Sequence, residues 1–264
     1  MSALASDANA GKVALVTGGG TGIGRATATA LADSGARVVI CGRRSAPLAE
    51  ARAQLEEGGA ECLATTCDIR EPEQVRALVD EALERFGAVD VLVNNAGGQF
   101  TAAAEEISTK GMRAVHRLTL DAAWELTREV ATRSMIPGGG GLIAFVGFSP
   151  RRGIPGFAHA AAARAALENL AQGLALEWSR HSVRSVCVAV GNIDTEGLRE
   201  YGSEAVEQAR RQVPLGRLGR PQEVGDTIAF LATAGAAYIT GTTIVVDGGL
   251  DAWGQGEPPP APRT

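Results

Sequence analysis

The sequence predicts an α/β fold, a single doubly wound domain built on a seven-stranded parallel sheet. Two observations predict it. Short β-branched runs alternate with longer alanine-rich stretches of helical spacing, and the alternation continues from Lys12 to the region of Asp247 without a composition shift. The runs are near-continuously apolar rather than alternating, as strands are when helices cover both faces of a sheet.

In chain order, the strands read as Val13–Val16, Arg37–Cys41, Cys62–Cys67, Val89–Val93, 142–147, 183–189 and 243–247. Helices read as 22–34, 45–57, 71–86, 111–134, 157–180 and 221–234. Right-handed crossovers then place helices on both faces of the sheet. Pro137–Gly141 is a flexible connection before the fifth strand. Residues 192–216 are charged and helical in spacing, and an insertion of that length suits a lid over a site. The last ten residues, 255–264, contain four prolines and read as an extended or disordered tail after a domain of 1–254.

The chain has 264 residues, 34 of them glycine, against a usual share of about 7%. Tight βα turns and helix C-caps account for that excess. Tyrosine and lysine are scarce: only Tyr201, Tyr238, Lys12 and Lys110 occur. A net charge of −5 gives no footprint for nucleic acid or for an anionic membrane surface. No apolar run reaches the ~18 residues of a membrane span. Met1–Gly11 lacks the basic and apolar regions of a signal peptide, and Cys41, Cys62, Cys67 and Cys187 form no CxxC pair. Reduced thiols, a cytoplasmic location and no metal site are the resulting expectations.

The first strand runs into Thr17-Gly18-Gly19-Gly20-Thr21-Gly22-Ile23-Gly24 and then a helix. Glycines there let the backbone approach a pyrophosphate, while the helix N-terminus offers free N–H groups and a partial positive charge. The second strand ends in Arg43-Arg44 with no acid. An acidic residue at this place holds the 2′-hydroxyl of NAD, and arginine accommodates the 2′-phosphate of NADP, so NADP(H) is the expected cofactor unless the turn is merely a solvated basic one.

The Thr-Gly-x-x-x-Gly-Ile-Gly spacing resembles the short-chain dehydrogenase/reductase family. So do Asn94-Asn95-Ala96-Gly97 after the fourth strand, Gly191-x-Ile193-x-Thr195 after the sixth, and Tyr238 to Gly249 at the C-terminal strand. The resemblance covers almost the whole chain and implies a Rossmann fold. By it, Thr17, Gly18, Gly20, Thr21, Gly22 and Ile23 hold the pyrophosphate end, with Arg43 and Arg44 on the 2′-phosphate and Asp68 and Ile69 on the adenine. Asn95, Ala96, Gly97, Ile193, Thr195 and Arg164 then border the nicotinamide half.

The same resemblance implies a tetrad of Asn, Ser, Tyr and Lys. Those positions hold Thr119, Phe148, Ala160 and Arg164, with Ser149 one place beyond Phe148. Tyr201 is followed four residues later by Ala205 and Tyr238 by Thr242, so no Tyr-x-x-x-Lys exists anywhere. The segments Asn94 to Phe100, Glu106 to Gly111, Gly156-x-x-His159 and Ala162 to Ala165 further resemble the branch with peroxisomal trans-2-enoyl-CoA reductase and 2,4-dienoyl-CoA reductase. That branch reduces a C=C bond conjugated to a thioester with NADPH. The trans-2-enoyl-CoA reductase carries its own Tyr-x-x-x-Lys one turn later, where this chain has Glu168 and Gln172.

Arg164, His159 and Ser149 are the remaining catalytic candidates. Arg164 can bond ribose hydroxyls and supply charge but is a poor proton donor. His159 is an acid near neutral pH or a polar residue without chemistry, and its spacing of five from Arg164 sets the two about 140° apart on an ideal helix. Ser149, Thr119 and Tyr201 act as hydrogen-bond donors or serve structure. Arg151-Arg152 faces a CoA diphosphate or is a solvated turn. The reading is an NADPH-dependent reductase of an enoyl thioester or related activated alkene, a small acyl-CoA or acyl-carrier substrate. The alternative is an NADP-binding relative without redox turnover, a sensor or a non-redox isomerase or cyclase. The resemblance also implies a homotetramer packed through helices 111–134, 157–180 and the last strand.

Overall fold

Seven parallel strands lie side by side in the order β3-β2-β1-β4-β5-β6-β7. The structure, a computed structural model, describes residues 4–149, 151 and 153–253. The tail read at 255–264 and Arg152 lie outside the described residues. The strands are β1 (Val13–Thr17), β2 (Arg37–Gly42), β3 (Cys62–Thr66), β4 (Val91–Asn94), β5 (Gly141–Phe148), β6 (Val183–Val190) and β7 (Thr243–Val246). The connecting helices are α1 (Gly22–Asp33), α2 (Ser45–Glu57) and α3 (Pro72–Phe86). They continue with α4 (Thr109–His116), α5 (Ala122–Val130), α6 (Ile136–Gly138) and α7 (Ala158–Glu177). After β6 come α8 (Glu196–Arg199), α9 (Ser203–Arg211) and α10 (Pro221–Ala232), and α11 (Leu250–Trp253) closes the described chain.

Alternation along each strand sends neighbours to opposite faces. Ala14 and Val16 of β1 join Leu31, Leu48 and Ile228 from α1, α2 and α10 in one core. Val13 and Leu15 face the other way, into a core with Leu78, Leu126 and Leu167 from α3, α5 and α7. Val13 to Val16 are fully buried, which is why the first four residues of β1 are apolar. Gly225 lets α10 approach α1 closely, since a Cβ there would lie 2.6 Å from the Ala26 carbonyl oxygen.

Two elements differ from the sequence expectation. β4 begins at Val91, two residues later than expected, because Asp90 turns its carboxylate back to accept the Val13 amide at 2.7 Å. Val89 is held instead by the Ser134 hydroxyl, which accepts its amide at 2.7 Å and donates to its carbonyl at 3.1 Å. The helix expected at 111–134 runs from Thr109 to Gly138 and widens into π-helical turns at Arg117–Asp121 and Ala131–Met135. Such turns insert an extra residue and re-aim the side chains on either side. The insertion at 192–216 carries the short helices α8 and α9. No helix among the described residues is long and apolar enough to cross a membrane.

Phe145, fully buried at the centre of β5, tests the core directly. Phe145→Ala is expected to cost about 3–5 kcal/mol of unfolding free energy, read from the urea midpoint at unchanged slope.

Candidate functional site

β1 and β4 are neighbours whose chains depart toward opposite ends of the sheet, so their carboxyl ends open a crevice between two diverging loops. Thr17, the last residue of β1, ties the loops together. Its Oγ1 accepts the Asn95 and Ala96 amides at 3.0 and 2.9 Å and donates to the Val93 carbonyl at 3.3 Å. The Asn95 side-chain amide donates to the Thr17 carbonyl at 2.8 Å.

The glycine loop folds over this knot. Gly18 takes a left-handed φ of 67° and donates its amide to the Cys41 carbonyl at 2.8 Å. A Cβ on Gly24 would lie 2.2 Å from the Gly18 carbonyl oxygen, so the loop closes only around glycine. α1 has no acid in its first turn and no side-chain cap from Thr21, which leaves its N-terminal amides free toward the crevice.

One cavity of about 380 Å³ occupies the crevice. Gly18, Thr21, Gly22 and Ile23 form its floor, Arg43, Arg44, Asp68 and Ile69 one wall, and Asn95, Ala96, Gly97 and Thr195 the other. Sequence reasoning expected all twelve there. Thr17 lies beneath, fully buried. Gly20 turns away toward α2, where a Cβ would meet the Leu48 amide nitrogen at 3.2 Å. Ile193 also stands apart, packed against Gly219 in the wall of a neighbouring cavity. Cys41, Cys67, Leu118, Glu196 and Glu200 line the cavity without having been expected. Cys41 and Cys67 follow from their places at the ends of adjacent strands, whereas Leu118 is brought in by the π-helical turn and the start and C-cap of α8 supply Glu196 and Glu200.

Charge is unevenly distributed around the cavity. Arg43 and Arg44 are exposed and form no ion pair among the described residues. Asp68 is already engaged: Arg70 Nε donates to its Oδ1 at 2.9 Å, and that bond holds the carboxyl down at about 2.

Beyond Gly97 stands Arg164, buried on α7. Its Nη1 donates to the Val146 carbonyl at 2.9 Å, its Nη2 reaches Gln99 Oε1 at 3.5 Å, and its guanidinium carbon lies 4.1 Å from the centre of the Phe148 ring. A Cβ on Gly97 would sit 2.7 Å from Nη2, so the loop backbone rests directly on the cation. Among the described residues no carboxylate pairs with it. Burial lowers its pKa to about 10, which leaves it charged at neutral pH.

His159 and Ser149 do not join Arg164. The His159 ring is fully buried beside Phe100, with centroids 4.2 Å apart, and neither ring nitrogen has a hydrogen-bond partner among the described residues. Burial first, and His116 on α4 second, lower its pKa, so the imidazole is neutral at pH 7. Ser149 Oγ makes a short hydrogen bond to Asp247 Oδ2, and the same carboxylate accepts the Gly249 and Asp251 amides at 2.8 and 2.7 Å. Its hydroxyl pins the end of β5 to the loop after β7.

Thr119 is buried in the π-helical turn. Tyr201 is 45% exposed, edge-on to Phe157 at 6.5 Å. Arg151 donates to Glu168 at 2.7 Å and is not a free cation.

Comparison with known proteins gives a consistent picture. A family model described as enoyl-(acyl carrier protein) reductase matches residues 18–251. The peroxisomal 2,4-dienoyl-CoA reductase, (3E)-enoyl-CoA-producing, of Danio rerio is 35% identical over 246 residues, 92% of this chain and 81% of that protein. Among solved structures, the citronellol catabolism dehydrogenase of Pseudomonas aeruginosa PAO1 superposes with a TM-score of 0.85 at 38% identity, covering 95% of this chain and 99% of that one. A variant actinorhodin polyketide ketoreductase with NADPH gives a TM-score of 0.87 at 32% identity, covering 94% and 99%.

The knot at Thr17 carries a stability prediction. Thr17→Val keeps the shape but leaves the Asn95 and Ala96 amides without their acceptor, at about 1–3 kcal/mol for each amide that stays buried. The loss is read from urea unfolding, and faster hydrogen exchange at those two amides locates it.

Proposed function

The chain belongs to the short-chain dehydrogenase/reductase family of oxidoreductases, and from that premise we propose that it uses NADPH to reduce a C=C bond conjugated to a thioester. The observation that carries the proposal is Arg164, a buried cation with no carboxylate partner among the described residues, resting against Gly97 of the cavity wall. The relatives named as dienoyl-CoA reductases support the substrate class.

The residues present fit a nicotinamide dinucleotide. A Cβ on Gly22 would fill the gap to Thr195, 3.5 Å from its methyl group, so glycine keeps the crevice open where a pyrophosphate would pass. The free amides of α1 and the loop suit that group. Arg43 and Arg44, without an ion pair among the described residues and with no acid next to them in sequence at the end of β2, suit a 2′-phosphate. Asn95, Ala96, Gly97 and Thr195 border the remaining half of the crevice, and Arg164, behind Gly97, is our candidate for bonding ribose hydroxyls. When bound, NADPH supplies a hydride.

Ketone reduction in the manner of the family's Tyr-x-x-x-Lys requires a phenol that gives up its proton. Neither tyrosine is so placed, since Tyr201 is on the surface and Tyr238 is fully exposed. Reduction of a conjugated C=C bond places different demands on the protein. Negative charge develops on the thioester oxygen, and a cation or N–H donor in a desolvated site stabilises it. Arg164 supplies the charge. It does not release a proton at neutral pH, so the α-carbon takes its proton from water. Ser149 holds the loop after β7 in place.

A homotetramer is part of the proposal. Met112 and Trp124 on the long helix, and Leu176, Tyr238 and Val245 around β7, are large apolar side chains left exposed on two faces of the single chain. Sedimentation velocity distinguishes one copy from four.

NADPH consumption with trans-2-enoyl-CoA and 2,4-dienoyl-CoA series tests the reaction. Turnover is expected, whereas tight NADPH binding with the cofactor unchanged across both series overturns it in favour of a non-redox relative. Arg43→Ala is expected to weaken NADPH binding by about tenfold and leave NADH binding alone, as for loss of a charge-assisted bond. Arg164→Met should lower kcat by about 10²–10³ without loss of stability, because an apolar group of similar volume is tolerated where an unpaired charge is buried.

A further inference from the structure

The His159 imidazole takes no part in the proposed reaction, although it is fully buried and neither ring nitrogen has a partner among the described residues. Buried polar side chains nearly always find one, because an unmade bond costs the full desolvation of the group. His159 stands in the first turn of α7, a helix of 20 residues, and helical side chains tilt back toward the N-terminus. That end has no side-chain cap and no acid in its first turn, and its first N–H groups have no acceptor within the helix. An orphaned imidazole thus lies at an uncapped helix end.

The cover over the imidazole is a single ring. Phe100, in the irregular loop after β4, lies on His159 with centroids 4.2 Å apart and planes inclined at 31°. The tip of the ring rests on the first turn of α4, where a Cβ on Gly111 would lie 2.9 Å from Phe100 Cζ. Phe100 is nevertheless 38% exposed, so the cover belongs to the surface and not to the core. The loop itself is fastened just beyond it. The Ala102 amide donates to the Gly156 carbonyl at 3.0 Å, and a Cβ on Gly156 would meet the Thr101 methyl carbon at 3.0 Å.

We propose that His159 and the N-terminus of α7 form a carboxylate subsite beneath Phe100, and that the substrate's acyl chain ends in a carboxylate that displaces the Phe100 ring. The inference rests on the acyl thioester of the preceding reading and adds the chemistry of the chain's far end.

An anion suits the place better than a hydrocarbon or a neutral group. A helix N-terminus carries partial positive charge and points N–H donors outward, and no carboxylate in the first turn competes for them. The imidazole adds one N–H when neutral and two when protonated, and the two oxygens of a carboxylate can accept from helix and ring together. Burial, with His116 as a smaller cause, holds the His159 pKa down while the subsite is empty, and a carboxylate beside the ring acts in the opposite sense. A methyl terminus would leave the imidazole unsatisfied. Chain length follows from the helix: Arg164, placed at the thioester end, stands five residues further along α7, about 7.5 Å of axis, a rise that an extended chain of roughly six carbons spans. Phe100 turns toward solvent to admit the carboxylate while Thr101 and Ala102 keep the loop in place.

The test uses the full chain with oxidised NADP present, so that binding is read without turnover. Calorimetric titration compares trans-2-hexenoyl-CoA with trans-2-hexenedioyl-CoA, which differ in carrying a methyl or a carboxylate at the far end. The carboxylate-ended thioester is expected to bind about tenfold tighter, as for charge-assisted hydrogen bonds made in a desolvated place. His159→Leu removes the unsatisfied imidazole, so it should fold, and it brings the two affinities within about twofold of each other. Phe100→Ala, with no ring to displace, widens the preference. Equal affinities in the parent protein, binding of neither thioester, or a preference that survives His159→Leu overturns the proposal, and where that variant does not fold, a preference unchanged by Phe100→Ala does so. Turnover with NADPH is measured separately: a carboxylate preference without turnover of either thioester defeats the reductase reading and leaves the subsite standing, whereas turnover without the preference defeats the subsite alone.

Discussion

Where β1 and β4 part, two chains diverge from adjacent strands and their backbone amides lose the ladder that satisfied them. A single hydroxyl closes the gap. Thr17 Oγ1 has one proton to give and two lone pairs to accept with, and all three are in use, on Val93, Asn95 and Ala96. Water in that place would satisfy the same groups without fixing their positions. Because the threonine is part of β1, it transfers the rigidity of the central sheet to the loop after β4. Gly97 is held by that loop, and Arg164 is packed on Gly97, so the geometry at the far end of the crevice depends on a bond made beneath it.

Arg164 shows how a buried cation persists with no anion beside it among the described residues. The Phe148 face, the Val146 carbonyl and Gln99 Oε1 each offer it partial negative charge, and none neutralises it. Burial lowers its pKa only to about 10, so the charge survives in a place where solvent screens it poorly. Such a group is costly in an empty fold and useful when a neighbouring atom becomes negative. Phe148 matters in this respect too, since its ring is both the surface on which the guanidinium stacks and part of the small apolar cluster with Val115, Ala160 and Ala163.

The sheet and the glycine loop were legible because both are encoded locally: buried parallel strands must be apolar throughout, and Gly18, Gly22 and Gly24 stand where side chains cannot. What escaped depends on distant partners. Asp90 delays β4 because its carboxylate finds the Val13 amide, a contact 77 residues apart in sequence. Ser149 looked like a donor at the site until Asp247, 98 residues away, took its hydroxyl. Leu118 reaches the cavity through a π-helical turn that composition does not announce. Gly20 and Ile193 fell within recognisable motifs, yet motif membership does not specify which way each residue faces. His159 and Arg164 were the partial success, since their five-residue spacing already argued against a shared face, and the structure gives them different neighbours.

The scarcity of tyrosine and lysine sets the limits within which this site can work. A phenol beside an ammonium exchanges a proton with substrate because the pair can shift between two protonation states near neutral pH. The candidate residues of this chain differ from such a pair: Arg164 stays charged, burial lowers the His159 pKa, and Ser149 is committed to a carboxylate. A site with fixed charges and no movable proton favours a reaction in which the protein need only stabilise charge as it forms, with solvent completing the proton balance. Reduction of a conjugated double bond has that requirement, because the oxygen that becomes negative is not the atom that finally receives the proton. Replacing lysine by arginine then has a chemical logic of its own, since the guanidinium keeps its charge through burial that would strip a proton from an ammonium.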